Sequence, residues 1–206
     1  MIAHFWQEFL SNIRHTTWIE FVAVFAGIIT VYFSRIENIW VYPTGIVNTA
    51  IYVYISFQGH LFAEGGLNIY YTIMSIIGWY MWAQKKDATH YVLTITKSNK
   101  KDWTIATGFF LGMWIILYLI LKHLTTSTVP VSDSFASAAA YTGMLLMNKK
   151  KIEHWFWWIV TNIVSIPLYY IKGYAFTSIQ FLILLIMAIS GWVLWAKKMK
   201  MSSADA

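Results

Sequence analysis

Gly78-Trp79-Tyr80-Met81-Trp82-Ala83 and Gly191-Trp192-Val193-Leu194-Trp195-Ala196 stand 113 positions apart, and lysines follow each. Both blocks close an apolar run. Asn48 and Asn162, and Gly59 and Gly173, match at a separation of 114, so a one-residue gap between Gly59 and Gly78 brings both sets into register. Tryptophan and lysine recur by chance at the ends of membrane helices, but an ordered match across two apolar runs reads as an internal duplication.

The composition says where such a chain lives. Of 206 residues, 58% are hydrophobic and only 12% are charged, which leaves too little polar surface to cover a water-soluble globule. Several of the 12 Trp stand at run ends, where an amphipathic ring prefers the membrane interface. The net charge of +6 comes from short basic clusters between apolar runs. Charge in that position reports membrane orientation, so nucleic acid is not an expected partner and the lipid bilayer is. With no cysteine there is no disulfide framework, Cys-ligated zinc or thiol nucleophile.

Apolar runs at Trp18 to Ser34, Trp40 to Phe57, Leu67 to Trp82, Trp103 to Leu121, Ser134 to Met147, Trp155 to Ile171 and Phe176 to Trp195 predict seven spans. Some fall short of the ~20 residues that cross ~30 Å of hydrocarbon, so their helices extend into polar flanks or sit in thinned membrane. The fifth, with Ala136, Ala138, Ala139, Ala140 and Gly143, reads as an interior helix, because small residues let neighbours approach closely. Residues 1–17 read as an uncleaved interfacial helix, with Phe5, Phe9 and Ile13 at helical spacing. Twelve Lys and Arg, among them Arg35, Lys85, Lys150 and Lys198, face one side, and only Arg14, Lys122 and Lys172 face the other. The positive-inside rule then puts the C terminus in the cytoplasm and the N terminus outside.

A three-span unit exits opposite its entry, so a second copy keeps the orientation of the first only if an odd span returns the chain. The expected fold is therefore an all-α integral membrane protein with seven transmembrane helices in a 3+1+3 parallel repeat, the SWEET-like arrangement. The boundaries are an interfacial helix at 1–17, a first repeat at 18–84, a loop and connector helix at 85–132, a second repeat at 133–200 and a disordered tail at 201–206. The polar loop from Gln84 to Asp102 is locally β-prone at Val92 to Thr96 and receives no function.

Glu37-Asn38, Tyr42-Pro43-Thr44-Gly45-Ile46, Asp133-Ser134-Phe135, the Glu153-x-Trp155-x-x-Trp158-Ile159-x-x-Asn162 string, Leu168-Tyr169 and Lys172-Gly173 carry a resemblance. Over roughly Trp18 to Lys198 the chain resembles the PnuC family of nicotinamide riboside transporters. That resemblance implies facilitated diffusion of nicotinamide riboside across a bacterial inner membrane, with trapping by phosphorylation for NAD synthesis. Related members take thiamine or riboflavin, which stays open as the alternative cargo. SWEET-like proteins often form oligomers, so a homotrimer is an expectation that no face of this sequence specifies.

A flat pyridinium with a carboxamide and a ribose calls for aromatic faces and neutral hydrogen-bonding groups. Trp155, Trp158, Asn162, Ser165 and Tyr169 fall on one helical face of the sixth span. Trp158 is expected to stack and Asn162 to hydrogen-bond, with Trp155 either lining the site or anchoring the interface. Thr44, Asn48 and Tyr52 share a face of the second span, and the duplication sets Asn48 opposite Asn162; the alternative is that each amide joins neighbouring helices. Asn68 and Tyr71 on the third span and Gln180 on the seventh complete the candidates, with Ser137 and Tyr141 as weaker ones. All nine acids lie outside the spans or at their ends. Ion coupling relies on an intramembrane ionisable group, so a uniporter is expected. The six histidines show no metal-ligand spacing, and there is no HExxH, Gly-rich phosphate loop or Ser-His-Asp set. No metal, cofactor or catalytic residue is expected, and a membrane enzyme is the second hypothesis. A retinal photoreceptor has no mid-helix lysine in the last span to use.

Overall fold

A computed structural model describes residues 18–58, 62–87, 91–125 and 127–204. The interfacial helix expected over 1–17 and the Gly59 half of the Gly59/Gly173 match lie outside the described residues. Seven helices follow in order: α1 (Trp18–Arg35), α2 (Val41–Gln58), α3 (Phe62–Ala83), α4 (Lys100–Leu124), α5 (Pro130–Asn148), α6 (His154–Ile171) and α7 (Ala175–Ala204). Local chemistry explains several of the ends. The α4 helix starts on a capping box in which Asn99 and Asp102 satisfy each other's backbone N–H. The α5 helix starts on Pro130, whose fixed φ suits a first helical turn and whose missing N–H costs nothing there. The α1 and α5 helices both close on a left-handed residue that is not glycine, Glu37 at φ 62° and Lys150 at φ 50°.

The small residues of α5 do what their size permits. Twelve of its nineteen residues are buried, and it packs on α3, α4 and α6. The other contacts run α1 to α2 to α3, α6 to α7, and α1 to α7. By contrast α4 buries only Ala106, Phe110 and Leu117, leaving Ile105, Leu111, Ile115, Ile116, Leu119 and Ile120 exposed. Exposed Ile, Leu and aromatic side chains extend over the other helices as well, from Phe25 and Ile29 to Ile76, Ile163 and Ile186. Water would penalise such a continuous apolar exterior, and hydrocarbon would not. Lys100–Leu124 and Thr177–Met201 are each long and apolar enough to cross a bilayer alone.

Contacts at the lysine-rich end recur 113 positions on. Trp82 donates its indole N–H to the Met147 carbonyl at 3.2 Å, and Trp195 donates to the Ser34 carbonyl at 3.0 Å. Tyr42 meets Trp82 edge-on at a centroid distance of 5.2 Å, as Trp155 meets Trp195 at 6.0 Å. Gly78 lies against Tyr42 and Asn148, and Gly191 against Trp155, with no room for a Cβ at either. Asn48 reaches the Ala23 carbonyl at 2.6 Å, as Thr161 reaches that of Ala136 at 3.4 Å. At this spacing of 113 the position matching Asn48 is Thr161 and that matching Asn162 is Thr49, whereas the spacing of 114 paired the two asparagines.

Two further features depart from expectation. The α7 helix continues to Ala204, through four residues assigned to a disordered tail. Lys198 holds the extension by donating to the Ile36 carbonyl and to Glu37, and no Gly or Pro follows to break the helix. The loop after α3 forms no strand among the described residues. Thr96 makes one isolated parallel bridge to Lys151, through Thr96 N–H to Lys150 O and Ile152 N–H to Thr96 O. Glu153 accepts from both the N–H and the hydroxyl of Ser98, at 2.8 and 2.7 Å, and Lys151 pairs with Asp102 at 3.0 Å. The loop is thus a strap tied across the α5–α6 turn.

Candidate functional site

The α6 face with Trp158, Asn162 and Ser165 turns inward. Asn162 and Ser165 are buried and Trp158 is half-buried, packed like Tyr71 and Met74 against a core cluster that includes Met144 and Met147. Gly143 on α5 makes room for the indole: a Cβ there would come within 3.3 Å of Trp158 Nε1. Among the described residues the Asn162 amide and the Ser165 hydroxyl have no hydrogen-bond partner, yet neither is sealed off from accessible space. Buried amides are normally satisfied, so an open one beside an aromatic face is set up to take a partner that the chain does not supply.

Tyrosines from α3 and α5 gather around Tyr71, which packs against the same core cluster as Trp158. Tyr70 and Tyr71 on α3 lie 4.1 and 5.1 Å from the Tyr141 ring on α5. Tyr169 stacks on Phe181 at 5.1 Å and lies under the Lys172 ammonium at 5.6 Å. The rings offer stacking faces, and the hydroxyls and the Asn162 amide offer neutral hydrogen bonding. The ion pairs lie at the helix ends: Glu37 with Lys150 and Lys198, Lys151 with Asp102, and Lys172 with Asp133 at 2.6 Å.

Of the expected residues, Asn162 is buried and Trp158, Tyr71 and Tyr169 are half-buried, while Tyr141, a weaker candidate, is buried against Tyr70 and Tyr71. Tyr70 carried no signal beyond its place next to Tyr71. Trp155 is fully buried against Gly191, His154 and Trp195, and its indole N–H has no partner among the described residues. Asn48 bonds across to α1, the joining role that was its alternative. Tyr52, Asn68 and Gln180 are half-buried, and Tyr52 and Asn68 already have interaction partners. A surface groove of about 440 Å³, lined by Phe21, Phe25, Trp40, Pro43 and Val47 among others, is almost wholly apolar and lacks this hydrogen-bonding equipment.

Residues 17–197 match the family described as nicotinamide mononucleotide transporter. The nicotinamide riboside transporter PnuC of Escherichia coli strain K12 is 23% identical over 203 residues, covering 87% of this chain and 85% of that one. The riboflavin/roseoflavin transporter RibM of Streptomyces davaonensis is 22% identical over 179 residues, covering 86% and 84%. The crystal structure of the vitamin B3 transporter PnuC superposes with a TM-score of 0.72 at 22% identity, covering 95% of this chain and 88% of that one.

Proposed function

The chain belongs to the nicotinamide mononucleotide transporter family, and from that premise we propose that it carries nicotinamide riboside across the inner membrane by facilitated diffusion, the cargo being trapped inside by phosphorylation. The observation that carries the proposal is the open Asn162 amide, one helical turn along α6 from Trp158, with Tyr71 packed against the same core cluster as Trp158. A flat cation suits an indole face, an interaction worth ~2 kcal/mol or more when desolvated. Neutral amide and hydroxyl groups suit a carboxamide and a ribose. Riboflavin is the second reading, favoured by the RibM relative, because its flavin ring also stacks.

The fold proposed is two three-helix halves, α1 to α3 and α5 to α7, joined by α4. The contacts repeating at 113 residues and the exchange of α1·α7 for α3·α5 support that reading. So does the position of α4, which packs chiefly on α5. Positive-inside charge supports a cytoplasmic lysine-rich end. A homotrimer stays a proposal, to be read from the mass of the purified protein in detergent.

Uptake of labelled nicotinamide riboside into proteoliposomes, beside thiamine and riboflavin, tests the cargo. Trp158→Ala and Asn162→Ala are each expected to weaken its binding about tenfold, the effect of losing ~1.4 kcal/mol. Unchanged binding in both variants removes the site assignment, while uptake of riboflavin in place of nicotinamide riboside transfers the function to the second reading.

A further inference from the structure

Glu37 and Lys150 sit in the left-handed backbone region, where a glycine carries no steric penalty and other residues do. Strain held at corresponding turns points to work done by the side chains. Glu37 Oε1 accepts from Lys150 Nζ at 2.9 Å, and its Oε2 from Lys198 at 3.1 Å. The Lys150 ammonium also lies 4.6 Å above the Trp82 ring, and Lys150 is only 6% exposed. Beneath that pair, Ser34 Oγ donates to Met147 Sδ at 3.5 Å and Tyr42 donates to Asn148 Oδ1 at 3.2 Å.

Every one of these links joins residues 18–83 to residues 130–204. The Lys172–Asp133 pair at the opposite end instead stays within α5 and α6. The lysine-rich end is therefore tied across the two halves, and a solute held between them can leave on that side only when the ties part. We propose that Glu37 and Lys150, with Trp82 under the ammonium, are the gating residues at the lysine-rich end of the transport path. The inference rests on the transport reading above but not on the identity of the cargo.

The chain has no cysteine, so a Met147→Cys variant carries a single thiol just under the gate, at a position 5% exposed. In lipid nanodiscs, a membrane-impermeant maleimide is expected to label it slowly. Labelling is expected to quicken at least tenfold when either E37Q or K150M is added, two separate ways of breaking the pair with side chains of similar size. Joining Ser34→Cys to Met147→Cys with a short, cleavable bifunctional thiol reagent is expected to stop flux while leaving substrate binding intact, and cleavage is expected to restore flux. Equal labelling in the parent and both variants, or undiminished flux through the joined protein, overturns the proposal. Labelling needs no substrate, so a failure to carry nicotinamide riboside and a failure of the gate show up as different results.

Discussion

Gly78 and Gly191 occupy matching places, one against Tyr42 and Asn148 and the other against the Trp155 ring, and neither has room for a methyl group. Gly78→Ala and Gly191→Ala are each expected to lower stability by ~1–3 kcal/mol through overpacking, seen as a drop of several degrees in the melting temperature in detergent. An unshifted melting curve for both would mean that the helices can separate freely there. The same neighbourhood shows where single residues were legible in the sequence and where they were not. Trp79 and Trp82 look alike as run-end tryptophans, yet Trp79 is 43% exposed and Trp82 is 3% exposed. What separates them is a partner that sequence does not display. The last carbonyls of a helix lack intrahelical donors, and the indoles of Trp82 and Trp195 serve those of α5 and α1. Asn48 and Asn162 were indistinguishable by type, and a one-residue difference in register decides that one joins helices while the other stays open.

Among the elements, the helices were read well because hydrophobic runs and small residues express burial directly. The α5 helix was recognisable as interior from its alanines alone, and it extends to Pro130 because the proline starts a helix without needing a donor partner. The strap was not legible, because its order comes from side chains far along the chain: Glu153 holds Ser98, and Lys151 holds Asp102. A charged acceptor bonded by two donors is worth ~1.5–3 kcal/mol per hydrogen bond. Glu153→Ala is therefore expected to free the strap and speed tryptic cleavage near Lys97 about tenfold, with the helices unchanged by circular dichroism. Equal cleavage of the parent and the variant would show that the backbone bridge at Thr96 suffices.

For the whole molecule, the low share of charged residues was legible in the composition alone. The scarcity of charge reflects an apolar exterior, and the charges that remain sit at helix ends, where they tie elements together. The 113-residue spacing was visible in the tryptophan blocks, but the contacts that recur at that spacing were not, since Tyr42 and Trp155, or Asn48 and Thr161, differ in type. Because the ion pairs lie at the helix ends, flux is expected to be saturable, to stop when concentrations are equal on both sides, and to ignore a collapsed proton or sodium gradient. Accumulation of unmodified cargo above its external concentration in kinase-free vesicles would sink that expectation.

The two left-handed turns also bear on how such a chain arises. Had both halves been identical subunits, the same site would set glutamate against glutamate, or lysine against lysine, in a buried position where like charges repel strongly. Placing an acid at 37 and a base at 150 turns that repulsion into attraction, a division of labour closed to two identical subunits. The unlike pair thus gives residues 18–83 a reason to prefer residues 130–204 over a second copy of themselves.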